Sequence, residues 1–180
     1  MKKSDILVAT EPVAGAFERL GVPYYIGGSV ASSAYGIPRA TMDVDMMSNL
    51  LPRHVRPLVE LLEPLYYIDE SMILDAIEQR SSFNLIHLET MVKIDIFITG
   101  HSPYEREAFK RTKRDILDEE AGTVTFYLVS PEDIVLNKLV WFRSGGEVSE
   151  QQWKDIIGVL KVQENGIDRE QDAGDGAFSG

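Results

Sequence analysis

GGSVASSAYGIPRATMDVDM, residues 27–46, is the stretch on which the fold turns. It begins Gly27-Gly28-Ser29 and ends Asp43-Val44-Asp45-Met46. Tyr24, Tyr25 and Ile26, just before it, have the aromatic and β-branched character of a short strand. The small residues from about Ser29 to Tyr35 suit a helix, which Gly36 and Pro38 end. The two glycines therefore stand between a strand and a helix. Glycine lets the backbone come close to a ligand. A helix N-terminus offers free N–H groups and partial positive charge to a phosphate, and the Ser29 hydroxyl adds one more hydrogen bond. A Gly-Gly pair before a helix is also the ordinary makeup of a turn, and both readings stay open on these residues alone.

At the far end of the stretch, residues 44–47 read as a buried strand. Side chains alternate across a strand, so Asp43 and Asp45 leave one face while Val44 and Met46 enter the core. Neighbouring carboxylates repel each other unless a cation lies between them. An oxygen-only donor set suits a hard ion, Mg²⁺ or Mn²⁺. The plainer reading is a strand end exposed to water. A third acid, Asp95, sits in Val92-Lys93-Ile94-Asp95-Ile96-Phe97-Ile98. Val92, Ile94, Ile96 and Ile98 form an apolar face, and Asp95 lies on the opposite one. A carboxylate within so apolar a strand is costly unless it is paired or holds metal. A salt bridge to Lys93 or to a nearby arginine is the alternative to metal.

Outward from these segments, the periodicity predicts a helix over 5–20, capped by Ser4 and ended by Gly21. Pro52 opens a helix over 53–62 and Pro64 closes it. A helix is expected over 70–80, strands over 83–88 and 91–98 joined by a tight turn near Glu89 and Thr90, and a helix over 103–111. Another strand is expected over 124–129. Ser130-Pro131-Glu132-Asp133 is a helix start of capping serine, first-position proline and first-turn acids. That helix runs over 134–143 and breaks at Gly145-Gly146, and a last one, capped by Ser149, covers 150–161. Residues 164–180 turn to Gly, Asp, Ala and Ser and read as a disordered tail. Helices and strands are mixed within one unit, so the fold class is α/β (α+β): a short mixed sheet flanked by helices. The expected division is a core over 1–129, a small helical part over 130–163 and the tail.

The chain has 180 residues, of which 44% are hydrophobic and 26% charged, an ordinary globular balance. It contains no cysteine, which excludes disulfides, thiolate metal sites and cysteine nucleophiles. Neither a signal peptide nor a run of about 18 apolar residues is visible, so a soluble cytoplasmic protein with no membrane partner is expected. The formal net charge of −11 argues against an extended duplex nucleic acid as partner. One basic run, Lys110-Arg111-Thr112-Lys113-Arg114, reads either as a solvated helix end or as a contact for a polyanion.

Taken together, Gly27-Gly28-Ser29, the spacer of residues 30–42, Asp43-Val44-Asp45-Met46 and Asp95 on a later strand resemble the DNA polymerase β-type nucleotidyltransferase superfamily. Arg39-Ala40-Thr41 and Ser130-Pro131-Glu132-Asp133 look like its minimal nucleotidyltransferases, a group that includes the toxins and antitoxins of bacterial abortive-infection systems. The resemblance spans roughly residues 7–98 and implies a nucleotidyltransferase fold. It implies a nucleoside triphosphate substrate, Mg²⁺ or Mn²⁺, and transfer of the nucleoside monophosphate to an acceptor hydroxyl on a partner protein, a tRNA end or a small molecule. Asp43, Asp45 and Asp95 would hold two metals about 4 Å apart, and Asp95 would take the acceptor's proton. Gly27, Gly28 and Ser29 would hold phosphates. Arg39, Thr41 and Lys138 are further nucleotide-binding candidates. Lys138 lies mid-helix and either snorkels to solvent or reaches the triphosphate. A nucleotidyltransferase fold that binds nucleotide or a partner without turnover is the competing expectation. His54, His87 and His101 lack metal spacing and read as structural or surface residues, and Trp141 and Trp153 as packing between the last two helices.

Overall fold

The computed structural model describes residues 4–36, 42–117, 124–144 and 150–163. Among them the chain order is α1 (Asp5–Leu20), β1 (Tyr24–Ile26), α2 (Gly28–Tyr35), β2 (Asp43–Ser48), α3 (Pro52–Leu62), β3 (Tyr66–Tyr67) and α4 (Glu70–Gln79). It continues with β4 (Ser82–His87), β5 (Lys93–Ile98), α5 (Pro103–Arg111), β6 (Lys113–Ile116), β7 (Thr125–Leu128), α6 (Pro131–Ser144) and α7 (Glu150–Val162). The strands make one mixed sheet in the order β3-β4-β5-β2-β1-β7-β6. β2 runs parallel to β5 and antiparallel to β1, and β1 runs parallel to β7. The expected mixed α/β architecture is therefore the one observed.

Local chemistry sets the boundaries. The Leu7 N–H donates to the Ser4 hydroxyl at the start of α1, and Gly21 closes that helix at φ 67°. His54 caps α3, its Nδ1 accepting from the Leu51 N–H at 3.1 Å. At α5, Ser102 and Glu105 cap each other reciprocally, a capping box. The Asp133 N–H donates to the Ser130 hydroxyl at 3.1 Å, so α6 starts where its sequence says.

One face of the sheet is apolar. Val44, Met46, Ile94, Ile96, Phe83, Leu85, Ile26 and Leu128 are all buried there. α1 packs against this face, with the Phe17 ring tilted against Tyr24 at 5.7 Å, and α3 and α4 pack beside it. Tyr66 donates its hydroxyl to the Ala9 carbonyl at 2.5 Å, tying the sheet edge to α1. The other face carries Asp43, Asp45, Met47, Asp95 and Phe97 and is walled by α2, α5 and α6. Tyr25, on that face, meets Phe109 of α5 edge to face at 4.9 Å.

Two strands have no counterpart in the sequence expectations. β3 is only a Tyr-Tyr pair at the sheet edge, Tyr66 buried and Tyr67 exposed. β6 falls within the basic run expected to be a helix end or a polyanion contact. α5 stops at Arg111, and Lys113–Ile116 pair with β7. The run is largely neutralised from within. Arg111 grips Asp133, Lys110 pairs with Glu107, and Arg114 pairs with Glu18 while its guanidinium lies 5.0 Å over the Tyr127 ring. A strand of Lys, Arg, Asp and Ile at an open edge buries little and so shows no alternating pattern to read. Arg39, Thr41 and residues 164–180 lie outside the described residues, as do the Trp141 and Arg143 side chains. Trp153 is half-exposed, which leaves less of it for packing than expected.

Candidate active site

Parallel pairing of β2 and β5 brings the three acids together. Asp43 stands opposite Lys93, and Asp45 opposite Asp95. Because side chains alternate, all four project from the same face. The Gly27 N–H donates to the Asp45 carbonyl at 2.9 Å, which fixes the glycine turn over β2. Gly28 has φ 57°, a left-handed conformation that disfavours side chains, and a Cβ there would overlap the Asp45 carboxylate. Glycine is thus required twice over, by conformation and by approach. α2 begins at Gly28, Gly27 gives its N-terminus no side-chain cap, and Gly27, Gly28 and Ser29 line the cavity.

Below the turn lies a cavity of about 630 Å³, of a size that takes one small ligand. Gly27, Gly28, Ser29 and Asp45 line one side of it, and Asn137, Lys138 and Asp155 another. Tyr25, Met47 and Phe97 give it an apolar floor, with Tyr104 of α5 on its wall. The Tyr104 hydroxyl bonds both Asp133 and Asn137 at 3.1 Å, which orients the ring. Burial pushes the Tyr25 phenol up to about 12, so it stays a neutral donor.

The electrostatics around the acids are uneven. Burial, then Asp95, then Asp43 raise the Asp45 carboxyl above the usual range, and Lys93 and Lys138 only partly oppose them. Lys93 Nζ lies 2.9 Å from Asp95 Oδ2 and 3.9 Å from Asp43 Oδ1. The hydrogen bond to Asp95, then its charge, raise the Lys93 ammonium. The salt bridge weighed for Asp95 from sequence is therefore present. Among the described residues, no three His, Asp or Glu side chains stand close enough to hold a metal ion. The donor chemistry still fits one: an oxygen-only set in which a cation, the Lys93 ammonium, already sits between two members.

Lys138 lines the cavity rather than reaching out to solvent. Its side chain is only 14% exposed, so it does not snorkel, and its ammonium donates to Asp155 Oδ2 at 3.0 Å on the cavity wall. Asp155 lies seventeen positions further on, in α7, where sequence offers no local signal. Tyr104, Asn137 and the apolar floor also carry no motif. The histidines stand apart from the site: His54 caps α3, His87 is buried against Tyr66 and bonds Thr90, and His101 is exposed.

No family model matches the chain, and no curated protein matches it in sequence. Solved structures do match in shape. The lincosamide antibiotic adenylyltransferase LnuA, with lincomycin bound, aligns at TM-score 0.52 and 17% identity over 90% of this chain and 99% of its own. ANT(2'')-Ia in complex with adenylyl-2''-tobramycin aligns at 0.54 and 13%, over 88% and 89%. An antigenic nucleotidyltransferase-like protein from Paracoccidioides brasiliensis aligns at 0.55 and 17%, over 88% and 77%. At these identities the likeness is one of fold: the chain has the nucleotidyltransferase fold.

Proposed function

We propose that this nucleotidyltransferase-fold protein is a metal-dependent enzyme that moves a nucleoside monophosphate from a nucleoside triphosphate to an acceptor hydroxyl. One observation carries the reading. A half-buried Asp45, its carboxyl pushed up by burial and then by Asp95 and Asp43, lies beneath a glycine turn and a helix N-terminus that open onto a ligand-sized cavity. Asp43, Asp45 and Asp95 would hold Mg²⁺ or Mn²⁺. Bound there, a divalent ion would supply positive charge to the transferring phosphoryl group and the leaving oxygen.

The chain's own residues would do the rest. The α2 N-terminus and the Gly27-Gly28 backbone hold the phosphates, and the Ser29 hydroxyl adds a hydrogen bond. Lys138 supplies a cation from the opposite wall, released from Asp155 or shared with it, and Arg39 and Thr41 remain nucleotide-binding candidates on the resemblance. The acceptor oxygen attacks the α-phosphorus, the bond from that phosphorus to the bridging oxygen breaks, and pyrophosphate leaves with the electron pair. Asp95 takes the hydroxyl proton. The 1–129 core would carry this chemistry, and the 130–163 helices would wall the nucleotide.

Of the acceptors the resemblance implies, a small molecule is favoured over a protein or a tRNA end. The similar structures hold lincomycin and adenylyl-tobramycin, and the chain is strongly acidic. The cysteine-free composition suits a reducing cytosol. A part in a two-component toxin–antitoxin system follows from the resemblance alone, and a small helical protein encoded next door is the feature that would support it.

The decisive assay is transfer of label from α-³²P nucleoside triphosphates, with pyrophosphate release, in Mg²⁺ or Mn²⁺. Asp45→Asn should lower turnover by about a thousandfold or more with the fold intact. Full activity in that variant removes Asp45 from the chemistry. The Lys93–Asp95 pair favours a second reading, a silent nucleotide-binding module. Calorimetric binding of triphosphate with no pyrophosphate release under any acceptor tested would select it.

A further inference from the structure

Lys93 is one alternation away from Asp95 on β5 and directly across from Asp43 on β2. It therefore cannot leave the site by more than the reach of its own side chain. Its ammonium is 2.9 Å from one of these carboxylates and 3.9 Å from the other. Yet it is not locked in: the Lys93 side chain is 42% exposed, against 14% for Lys138 in its pair with Asp155. Its ammonium is open to solvent, so it can swing outward without itself becoming buried. In this arrangement the acidic oxygens are gathered around the ammonium, and no three acids among the described residues are disposed to share a metal.

We propose that Lys93 is a built-in counter-cation, which holds the acids in order before substrate arrives and which a divalent metal must displace to bind. The inference rests on the metal-dependent reading above and adds a rule of assembly to it. The three carboxylates with one ammonium carry a net charge of −2, and a divalent ion entering beside the ammonium meets direct repulsion. Metal alone therefore binds weakly. Metal that arrives with a triphosphate brings its own negative charge, which can draw the ammonium outward onto phosphate oxygen and so tighten the pair together. Lys93 acts in this scheme as a positioning residue that couples metal binding to nucleotide binding.

The test uses the full chain and Mn²⁺ alone, followed by calorimetry and by melting in chelator and in Mn²⁺. Lys93→Met should bind Mn²⁺ about tenfold more tightly than the wild type, the scale of one unit-charge interaction near 4 Å in a wet site. It should melt lower in chelator and gain more from Mn²⁺. Adding a non-hydrolysable triphosphate should tighten Mn²⁺ strongly in the wild type and much less in the variant. Should Lys93→Met not fold, Lys93→Arg gives the test in the other direction: a guanidinium forked onto both carboxylates should weaken Mn²⁺ binding. Equal Mn²⁺ affinity in wild type and Lys93→Met, or unchanged or tighter affinity in Lys93→Arg, overturns the inference and leaves the enzyme reading standing. Absence of Mn²⁺ binding in every protein, with and without triphosphate, takes down both.

Discussion

Asp45 and Asp133 are both aspartates drawn out of water, and their surroundings push them in opposite directions. Asp45 is raised by burial and by Asp95 and Asp43. Burial works to raise Asp133 as well, but hydrogen bonds from Arg111 and then Ser130 outweigh it and hold that carboxyl below the usual range. Arg111 grips it with two bonds of 2.8 Å, and the Ser130 hydroxyl donates to it at 2.8 Å. Asp133 is satisfied by its own chain and joins α5 to α6. Asp45 is left with a surplus of like charge. A carboxylate that the fold leaves under repulsion, beside an open cavity, points to a ligand; one that the fold neutralises completely points to architecture.

Removing the satisfied acid should cost most. Asp133→Ala leaves Arg111 without its partner and removes the carboxylate that orients the Ser130 capping hydroxyl, and breaking a buried pair costs about 3 kcal/mol or more. Urea unfolding checks this. A loss under about 1 kcal/mol would mean that the pair behaves like a surface salt bridge, and the contrast with Asp45 would fail. Gly28→Ala should come next, at about 2 kcal/mol, from left-handed strain together with overlap on the Asp45 carboxylate. Triphosphate binding should fall with it. A variant as stable as the wild type would show that the turn relaxes freely, and that the close approach of Gly28 to Asp45 is not required.

The surplus acid should show the reverse sign. Asp45→Asn relieves repulsion and, in chelator, should raise stability by about 1 kcal/mol. Mn²⁺ should stabilise the wild type and leave this variant nearly unmoved. If the variant is less stable in chelator, Asp45 is satisfied in the resting protein and resembles Asp133 after all. A smaller effect belongs to the phosphate side: Ser29→Ala should weaken triphosphate binding by about 1 kcal/mol, one neutral hydrogen bond. Unchanged affinity in calorimetry would take Ser29 out of the site.

This difference also explains which parts were legible in the sequence. Strand alternation, a local rule, put Asp43 with Asp45 on one face of β2 and Asp95 on the polar face of β5, but that these faces meet followed from the resemblance and depends on the β2–β5 pairing. Gly27-Gly28 could be read as a turn with two meanings, but the overlap of a Gly28 side chain with Asp45 needs the third dimension. Lys93 was visible as a salt-bridge candidate, since it is two residues from Asp95. The cavity wall was not legible at all. Lys138–Asp155 joins α6 to α7, and Tyr104 meets Asp133 and Asn137 from α5. Those contacts depend on how helices cross, for which a single sequence carries no period. The strand β6 escaped for a related reason: its residues are held by edge pairing to β7 rather than by burial.

The pH dependence of stability separates the two aspartates most finely, because their linkage has opposite signs. For Asp133 the folded pKa is depressed, so its contribution is present above the unfolded value of about 4 and is lost as pH falls through the folded pKa. For Asp45 the folded pKa is raised, so its contribution is full below about 4 and is lost as pH rises through the folded value. The two windows meet at about pH 4, with the Asp133 slope below it and the Asp45 slope above it. Each variant uncovers one of them. The deficit of Asp133→Ala against wild type should therefore be largest near neutrality and shrink as pH falls below about 4. The advantage of Asp45→Asn in chelator should grow as pH rises from about 4 toward 7. Urea midpoints from well below pH 4 up to about 7, with Mn²⁺ excluded, read both slopes in one series. Parallel profiles for Asp45→Asn and wild type would mean that Asp45 titrates alike folded and unfolded, and that its neighbours exert no net repulsion on it.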